Sequence, residues 1–261
     1  MTCSIITITY NNLDGLRRTA DSVSAQTYRD MEWIVVDGGS TDGTKEWLDN
    51  AQCTMRNAQF LSEPDKGVYD AQNKGIRLAK GEFCFFLNAG DSFCRADVLE
   101  RMMAMPLDAD IVYGNEVVVD AEGKRVGYCK GVENPGFVDL YNSCMKHQAT
   151  FIRRALFEKY GEYDSSLRIC ADWEWFFRVI GFHDEVRLCY RDVDVAWFEN
   201  TGLSYHNPAL CARERKQVLD RMMPARLQRD YETIARYPGL TKVRGERVVK
   251  MLLRIANRLM K

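Results

Sequence analysis

The stretch at residues 80–91, KGEFCFFLNAGD, decides the fold. Residues 82–87 form a short, almost wholly apolar run between a glycine and an asparagine, which is typical of a central strand covered on both faces. Small polar residues follow this run and end at Asp91. Ligands of open α/β sheets collect at the carboxyl ends of such strands, so a carboxylate here can hold a divalent cation against a phosphate. This segment alone favours the alternative that Asp91 caps a helix beginning near Ala96 or closes a turn.

Strands and helices alternate in the residues before this stretch. The strands are apolar and rich in β-branched residues, and the first helix carries its apolar residues on one face. This alternation predicts an α/β protein built on a doubly wound, mostly parallel sheet. The strands are predicted at residues 3–10, 31–36 and 58–61, and the helices at residues 16–26, 45–51 and 69–79.

The second part of the chain is less regular. The predicted elements are a hairpin of residues 110–120 and 125–129, strands at 147–153 and 186–196, and a helix at 171–180. From Pro208 a helical pattern runs to the end of the chain, broken at residues 237–239. We therefore predict a catalytic domain at residues 1–205, divided into halves at 1–91 and 92–205, and a helical C-terminal extension at 206–261.

The charge of the chain is unevenly distributed. The net charge is −1, but residues 206–261 carry 14 Lys and Arg against 5 Asp and Glu, whereas residues 1–205 carry 22 against 32. The basic extension predicts an anionic partner. No nucleic-acid partner is expected.

Cysteine usage and hydropathy indicate the compartment. The nine cysteines are scattered and include no C-x-x-C pair, which argues for reduced thiols in the cytosol rather than for disulfides or a zinc site. No basic run precedes a long apolar segment at the N-terminus, and no apolar run approaches the length that spans a membrane. The sequence therefore predicts a soluble, cytoplasmic protein.

The end of the predicted second strand carries acidic residues and glycines. This segment does not match the motif of a phosphate-binding loop. Gly43 is followed by Thr-Lys rather than Lys-Thr, and Asp37 and Asp42 would repel phosphate. A carboxylate at Asp37 can instead accept hydrogen bonds from the ribose or base of a nucleoside. The alternative is a plain turn, and the spacing leaves both interpretations open.

Four segments together resemble a known family. They are SIITITYNN (4–12), IVVDGGSTDGT (34–44), EPDKGVYDAQNKGIRLAKGEFCFFLNAGD (63–91) and ICADWEWFFR (169–178). In this order they resemble family 2 glycosyltransferases of the GT-A fold, across roughly residues 3–200. The resemblance implies inverting transfer of a sugar from a nucleotide-diphosphate donor, first of all a UDP-sugar, with Mg²⁺ or Mn²⁺. The third segment further resembles bacterial members that build surface polysaccharides, which implies a glycan or lipid-linked acceptor.

The resemblance also assigns residues to the donor site. It implies that Thr9, Tyr10 and Asn11 line the nucleoside pocket, that Asp37 binds the base, and that Asp91 binds the metal. Many members have two adjacent carboxylates where this chain has Gly90 before Asp91, so more of the metal coordination is left to the diphosphate and water. The nucleotide-binding residues are therefore Thr9, Tyr10, Asn11, Asp37, Asp65, Lys66, Lys74 and Asn88.

Asp172 is the candidate catalytic base. By spacing alone it is better explained as the N-cap of the helix that follows. The resemblance favours the base, because the family places it in an acidic pair before an aromatic residue. Ala171 replaces the first acid, which leaves Asp172 as the candidate and Glu174 in reserve. The pattern assigns Trp173, Phe176 and Phe177 to the core and leaves Trp175 open.

The three histidines do not have the spacing of a metal site. His147 is expected to be an ordinary hydrogen-bonded histidine and His206 a solvated one.

Two other functions compete with glycosyl transfer. A nucleotidyltransferase needs a basic, glycine-rich loop after the first strand, which Tyr10 and Asn11 do not provide, and a scaffold that has lost activity is suggested by Gly90 and Ala171.

Residues 243–261 form a basic amphipathic helix by pattern. Their apolar residues gather on one face and five basic residues on the other. Such a helix can lie in an anionic membrane surface, although packing of its apolar face on protein is equally compatible. We expect peripheral attachment at the inner face of the cytoplasmic membrane, where lipid-linked acceptors reside.

Overall fold

The computed structural model describes residues 2–51, 57–104, 108–142, 145–200, 202 and 207–236. In these residues, the strands are β1 (Cys3–Thr9), β2 (Met31–Asp37), β3 (Ala58–Ser62), β4 (Phe83–Phe86), β5 (Ser92–Phe93), β6 (Ile111–Val119), β7 (Arg125–Cys129), β8 (Thr150–Arg153) and β9 (Leu188–Glu199). The helices are α1 (Leu13–Ser24), α2 (Thr44–Ala51), α3 (Val68–Leu78), α4 (Val98–Met103), α5 (Phe137–Asn142), α6 (Arg154–Tyr160), α7 (Ala171–Phe182), α8 (Pro208–Met222) and α9 (Ala225–Arg236).

The strands form one sheet in the order β3-β2-β1-β4-β8-β6-β9-β5, and β7 pairs with β6. The first four of these neighbours run parallel, and helices α1 to α3 connect them along the chain. β1, β2 and β4 are buried almost throughout, as expected of continuous apolar strands between two layers. The predicted doubly wound, mostly parallel sheet is confirmed.

The second half of the sheet is mixed. β8 runs antiparallel to both β4 and β6, while β6 and β9 pair in parallel. The predicted hairpin is present as β6 and β7. The predicted strand at residues 147–153 is shorter than expected, because His147–Ala149 form a 3-10 turn and the strand begins at Thr150. This turn removes His147 from the strand ladder.

Two apolar cores lie on the opposite faces of the sheet. Along β4, Phe83 and Phe85 belong to one core, and Cys84 and Phe86 to the other. This alternation follows from the period of two residues in a strand. The aromatic residues of α7 other than the exposed Phe182 belong to the second of these cores, including Trp175, which is fully buried. The prediction that residues 173, 176 and 177 are core is confirmed.

Helix α8 packs on the same core as α7. Val218 of α8 and Met223 after it belong to the core that α7 forms. The predicted uninterrupted helix is wrong at residues 223 and 224, where Pro224 separates α8 from α9, because proline lacks the N–H that a continuous helix needs. His206 and residues 237–261, with the predicted break at 237–239 and the amphipathic segment, lie outside the described residues.

Across the described ranges of the chain, none of the helices combines the length and the hydropathy that crossing a membrane requires.

Candidate active site

The carboxyl ends of β1, β2 and β4 meet at one edge of the sheet. Thr9 and Asp37, the last residues of β1 and β2, are register partners. The chain after β4 continues beside β1, with the Leu87 nitrogen bonded to the Ile6 carbonyl at 2.9 Å and the Ala89 nitrogen to the Ile8 carbonyl at 3.0 Å. Parallel pairing thus brings together polar residues that are far apart in sequence.

The end of β1 offers polar groups to a ligand. The hydroxyl oxygen of Thr9 is buried and, in the described part of the structure, lacks a hydrogen-bond partner. Tyr10 is 66% exposed. Asn11 has a left-handed backbone (φ 49°), and its side-chain oxygen accepts a hydrogen bond from the Thr41 nitrogen at 2.8 Å. An orphaned buried hydroxyl beside an exposed aromatic ring suits a nucleoside.

Asp37 is fully buried at the tip of β2. Its carboxylate accepts hydrogen bonds from the backbone and hydroxyl of Ser40 and from the hydroxyl of Ser62. The residue therefore also holds the turn that follows β2, and its predicted contact with a base stays a prediction. A Cβ atom at Gly38 would lie 2.4 Å from Oδ2 of Asp65, so glycine here allows Asp65 to approach the same edge.

The two predicted lysines differ in their surroundings. The side chain of Lys66 is exposed. The ammonium of Lys74 lies 2.8 Å from Glu63 and 2.9 Å from the carbonyl oxygen of Pro64. The hydrogen bond with Glu63 raises the pKa of Lys74. Lys74 thus stays charged and fastens the loop that carries Asp65 and Lys66, whether or not it also meets a phosphate.

Asp91 is buried, with 4% of its surface exposed. The Glu199 nitrogen donates a hydrogen bond to its Oδ1 at 3.2 Å, and burial raises the pKa of Asp91 to about 7 in spite of this bond. Gly90 has a φ of 109°, and a Cβ there would lie 3.4 Å from a carboxylate oxygen of Glu199. The left-handed backbone explains why this position holds glycine rather than a second acid.

The Asp91 carboxylate is chemically suited to a divalent cation. A buried carboxylate that is costly to ionise gains from a positive charge beside it. The side-chain oxygen of Gln72 is buried and unpartnered in the residues that the structure describes, and its nitrogen lies 3.4 Å from Oδ1 of Asn88. These groups are the oxygen ligands that Mg²⁺ and Mn²⁺ prefer. Within the described residues no group of three or more His, Cys, Asp and Glu side chains is arranged to hold a metal.

Asp172 lies in the first turn of α7 and is held by two side chains from other elements. Its Oδ2 lies 2.8 Å from Nδ1 of His147, and its Oδ1 lies 2.9 Å from the hydroxyl of Tyr69. Burial alone would raise the pKa of Asp172, but the hydrogen bond and charge of His147 outweigh it and hold the pKa below its usual range. Asp172 is therefore an oriented carboxylate, and the alternative that it is the N-cap of α7 is wrong, because Cys170 occupies that position.

His147 connects Asp172 to the end of β4. Nε2 of its ring lies 3.5 Å from the side-chain nitrogen of Asn88. Burial lowers the pKa of His147, but the hydrogen bond and charge of Asp172, with further help from Asp91 and Glu116, raise it overall. The expectation of a hydrogen-bonded histidine is correct, but the sequence did not show that its partner is the candidate base.

Glu116 is a further buried acid beside this group. It lies on β6 with 2% of its surface exposed. Burial raises the pKa of Glu116, while the charges of Lys146 and His147 lower it. Glu116 and Tyr69 were not predicted as site residues. The sequence offers a signal only for Glu116, which is an acid within the apolar run of β6.

Glu174, the reserve candidate for the base, is engaged elsewhere. Its side chain is 3% exposed and pairs with Arg178 at 2.8 Å and with Arg221 at 3.4 Å. Both arginines lie on the helical layer, in α7 and α8. Because Glu174 forms these ion pairs away from Asn88 and His147, it is a structural residue, and Asp172 remains the candidate.

Comparisons with known proteins agree with this arrangement. The family model described as Glycosyl transferase family 2 matches residues 4–178. An uncharacterized glycosyltransferase of Mycobacterium tuberculosis is 35% identical over 214 residues, which are 78% of this chain and 78% of that protein. A PGL/p-HBAD biosynthesis glycosyltransferase of Mycobacterium bovis is 37% identical over 208 residues, which are 77% of this chain and 78% of that protein.

Solved structures share the fold at lower identity. S. aureus TarS 1-349 in complex with UDP is 18% identical, with a TM-score of 0.61 over 84% of this chain and 70% of that one. Another crystal structure of TarS 1-349 is 18% identical, with a TM-score of 0.60 over 77% of this chain and 61% of that one. The mannosyltransferase PcManGT from Pyrobaculum calidifontis, in complex with GDP-Man and Mn²⁺, is 17% identical, with a TM-score of 0.59 over 99% of this chain and 80% of that one.

The matching family model spans more than half of the chain, and the two relatives are similar over more than three quarters of it. The structural neighbours share the GT-A fold, which confirms the predicted fold class. The protein is a glycosyltransferase, and its chain belongs to glycosyl transferase family 2.

Proposed function

We propose that this glycosyltransferase moves a sugar from a nucleotide-diphosphate donor to the hydroxyl of a glycan or lipid-linked acceptor, with inversion at the anomeric carbon. The observation that carries the proposal is a chain of contacts that leads from Asp91 to Asp172. The Asp91 nitrogen donates a hydrogen bond to the Asn88 carbonyl oxygen at 3.0 Å, and the Asn88 side chain lies 3.5 Å from Nε2 of His147. Nδ1 of the same histidine lies 2.8 Å from Oδ2 of Asp172. Single-step inversion needs one group that faces the leaving diphosphate and another that faces the attacking hydroxyl.

The donor binds at the ends of β1 and β2. Thr9, Tyr10 and Asn11 line the nucleoside pocket, and Asp37 receives the base. Asp65, Lys66, Lys74 and Asn88 approach the ribose and the phosphates. Support comes from the orphaned hydroxyl of Thr9 and from structural neighbours whose complexes contain UDP, UDP-GlcNAc and GDP-Man. A UDP-sugar is the first donor to test.

Asp91 holds a divalent cation, Mg²⁺ or Mn²⁺, with the remaining ligands from the diphosphate and water. When bound, the cation neutralises the charge that develops on the leaving diphosphate. The burial of the Asp91 carboxylate, which raises its pKa to about 7, supports this role, as does the Mn²⁺ in the complex of the neighbouring mannosyltransferase.

Asp172 takes the proton of the acceptor hydroxyl as the bond between the sugar and the diphosphate breaks. A carboxylate of low pKa suffices, because the hydroxyl becomes acidic only as it attacks. Nδ1 of His147 and the hydroxyl of Tyr69 orient the carboxylate. Such orientation fixes which lone pairs face the acceptor.

The acceptor belongs to bacterial surface glycan synthesis in this proposal. The name of the M. bovis relative, a PGL/p-HBAD biosynthesis glycosyltransferase, supports a biosynthetic role for the transfer. We further propose that residues 243–261 attach the protein to an anionic membrane surface where such acceptors lie. Flotation with anionic liposomes tests the attachment, using the whole chain and a variant with Arg247, Lys250 and Arg254 changed to Glu. Equal flotation of both proteins would contradict it.

One sequence of measurements tests the reaction. A thermal-shift screen of UDP-, GDP- and dTDP-sugars, with and without Mn²⁺, identifies the donor because binding to the native state raises the melting temperature. Hydrolysis of that donor is then measured with Mn²⁺ and with a chelator. Metal-dependent turnover is the expected result. Donor binding without any turnover, with water or with glycan acceptors, would favour the inactive scaffold that Gly90 and Ala171 suggest.

A further inference from the structure

The basic extension contributes a buried carboxylate to the backbone that precedes α7. Glu214 of α8 is 5% exposed. Its Oε1 accepts a hydrogen bond from the Arg168 nitrogen at 2.8 Å, and its Oε2 accepts bonds from the nitrogens of Ile169 at 3.0 Å and Cys170 at 3.1 Å. Three consecutive N–H groups thus point to one carboxylate. Hydrogen bonds between an ionised acceptor and backbone donors are among the stronger ones in proteins, so this loop is firmly held.

The loop held by Glu214 is connected to Asp172 by two short routes. The carbonyl oxygen of Ile169 lies 2.6 Å from the hydroxyl of Tyr69, which lies 2.9 Å from Oδ1 of Asp172. Along the chain, Cys170 is the N-cap residue of α7, and Asp172 is the second residue of that helix. A shift of the loop therefore moves both the backbone of Asp172 and one of its hydrogen-bond partners.

Other residues on the same face of α8 hold the same segment. The sulfur of Cys211 lies 3.1 Å from the sulfur of Cys170. The guanidinium of Arg215 lies 4.2 Å from the centre of the Trp173 ring. These positions are three or four residues apart in α8, which places their side chains on one face. The extension thus contacts the chain immediately before and after Asp172.

We propose that Glu214 is a positioning residue that fixes Asp172 against His147 for proton transfer. The inference rests on the proposed role of Asp172 as the base and extends it to the C-terminal extension. Proton transfer requires the base within hydrogen-bond reach of the acceptor hydroxyl, and a displacement of about 1 Å can lower a rate by roughly 100-fold. The extension is then part of the catalytic machinery and not an appendage to it.

A spectroscopic test does not depend on activity. The chain has three histidines, so their imidazole ¹⁵N signals can be assigned with the two variants His147→Gln and His183→Gln. Glu214→Gln is expected to shift the Nδ1 signal of His147, which faces Asp172, and to leave the signals of His183 in place. The control Asp220→Asn removes the same charge from α8 at a side chain that is 52% exposed and paired with Lys216. This variant should shift the imidazole signals of neither His147 nor His183.

A double-mutant cycle tests the route through Asp172. In the wild-type background, Glu214→Gln is expected to lower kcat for donor turnover by roughly 10–100-fold, with the donor KM unchanged and with Asp220→Asn near wild type. In an Asp172→Asn background, the same change should lower the residual rate no further, because the group being positioned is already absent. If Glu214→Gln does not fold, Glu214→Asp, which keeps the charge but shortens the reach, should give the same pattern with a smaller loss.

The outcomes separate this inference from the proposed function. A wild-type protein without turnover on any donor contradicts the proposed function, while the histidine signals still decide whether Glu214 positions Asp172. Unchanged His147 signals in Glu214→Gln overturn the inference in either case. With an active wild type, equal losses in both backgrounds or a changed donor KM would make Glu214 a general structural residue and would also overturn it.

Discussion

Nδ1 of His147 and Oδ2 of Asp172 lie 2.8 Å apart, although 25 residues separate them in sequence. His147 stands in a 3-10 turn ahead of β8, and Asp172 stands in the first turn of α7. Both side chains are mostly buried. The contact gives the candidate base a fixed orientation and joins it, through Asn88, to the edge of the sheet where the donor is proposed to bind.

The contact predicts a specific kinetic effect of His147. His147→Gln removes the partner of Oδ2 and leaves Asp172 in place, so the carboxylate loses its orientation. We expect kcat for donor turnover to fall by roughly 10–100-fold, with the donor Kd changed less than about two-fold, since His147 acts on the acceptor side. Steady-state kinetics and titration calorimetry measure the two quantities. His183→Gln is the control, and an equal loss in that variant would contradict the prediction.

The same pair predicts how stability depends on pH. The pKa of His147 is raised above its ordinary value of 6.5, so its contribution is fully present below 6.5 and is lost as the pH rises through the folded-state pKa. The pKa of Asp172 is lowered below 3.8, so its contribution is present above 3.8 and is lost as the pH falls through the folded-state pKa.

The stability difference between wild type and His147→Gln should therefore be largest at about pH 5, at roughly 2 kcal/mol. It should shrink toward both lower and higher pH. Urea unfolding of the two proteins across this range measures it. A difference that does not vary with pH would show that the pair is not ionised in the native state.

Asp91→Asn should separate metal binding from folding. The substitution keeps the size of the side chain and removes a carboxyl group that burial makes costly to ionise. In the presence of a chelator we expect a melting temperature no lower than that of the wild type. The increase that the wild type shows with Mn²⁺ and nucleotide together should be lost, along with metal-dependent turnover. A variant that keeps both responses would mean that Asp91 only closes the turn after β4.

An acidic residue at position 90 should destabilise the protein. Its φ of 109° is unfavourable for any residue with a Cβ, and an added side chain would approach the carboxylate of Glu199. We expect Gly90→Asp to lose roughly 1–3 kcal/mol of unfolding free energy and Gly90→Ala to lose a similar amount through backbone strain alone. Denaturant unfolding and Mn²⁺ titration test this. Unchanged stability with tighter Mn²⁺ binding in Gly90→Asp would contradict it.

The sequence predicted the parallel half of the sheet because its strands are buried on both faces. β1, β2 and β4 are continuous apolar runs that end in polar residues, and their bounds differ from the prediction by one or two residues. Thr9 and Asp37 meet because parallel strands end together. These features follow from local pattern and strand direction alone.

The acceptor side could not be predicted in the same way. His147 and Tyr69 contact Asp172 from two other elements, and Glu116 of β6 interacts with Asp172 through its charge. Spacing along the chain does not reveal such interactions between elements. The ladder in which β6 pairs with β9 is a long-range contact of the same kind. The short helix α5 is too brief for a clear apolar period, and the sequence analysis did not detect it.

The proposed mechanism of glycosyl transfer depends most directly on Asp172 as the base. The decisive measurement is the kcat of Asp172→Asn for the donor identified by thermal shift, alongside the donor Kd of the same protein. Asn keeps the size of the side chain and can still accept hydrogen bonds, but it lacks the carboxylate that would take the proton. The account predicts a fall in kcat of roughly 10²–10⁴-fold with the donor Kd nearly unchanged. A kcat within a few-fold of the wild type would contradict it.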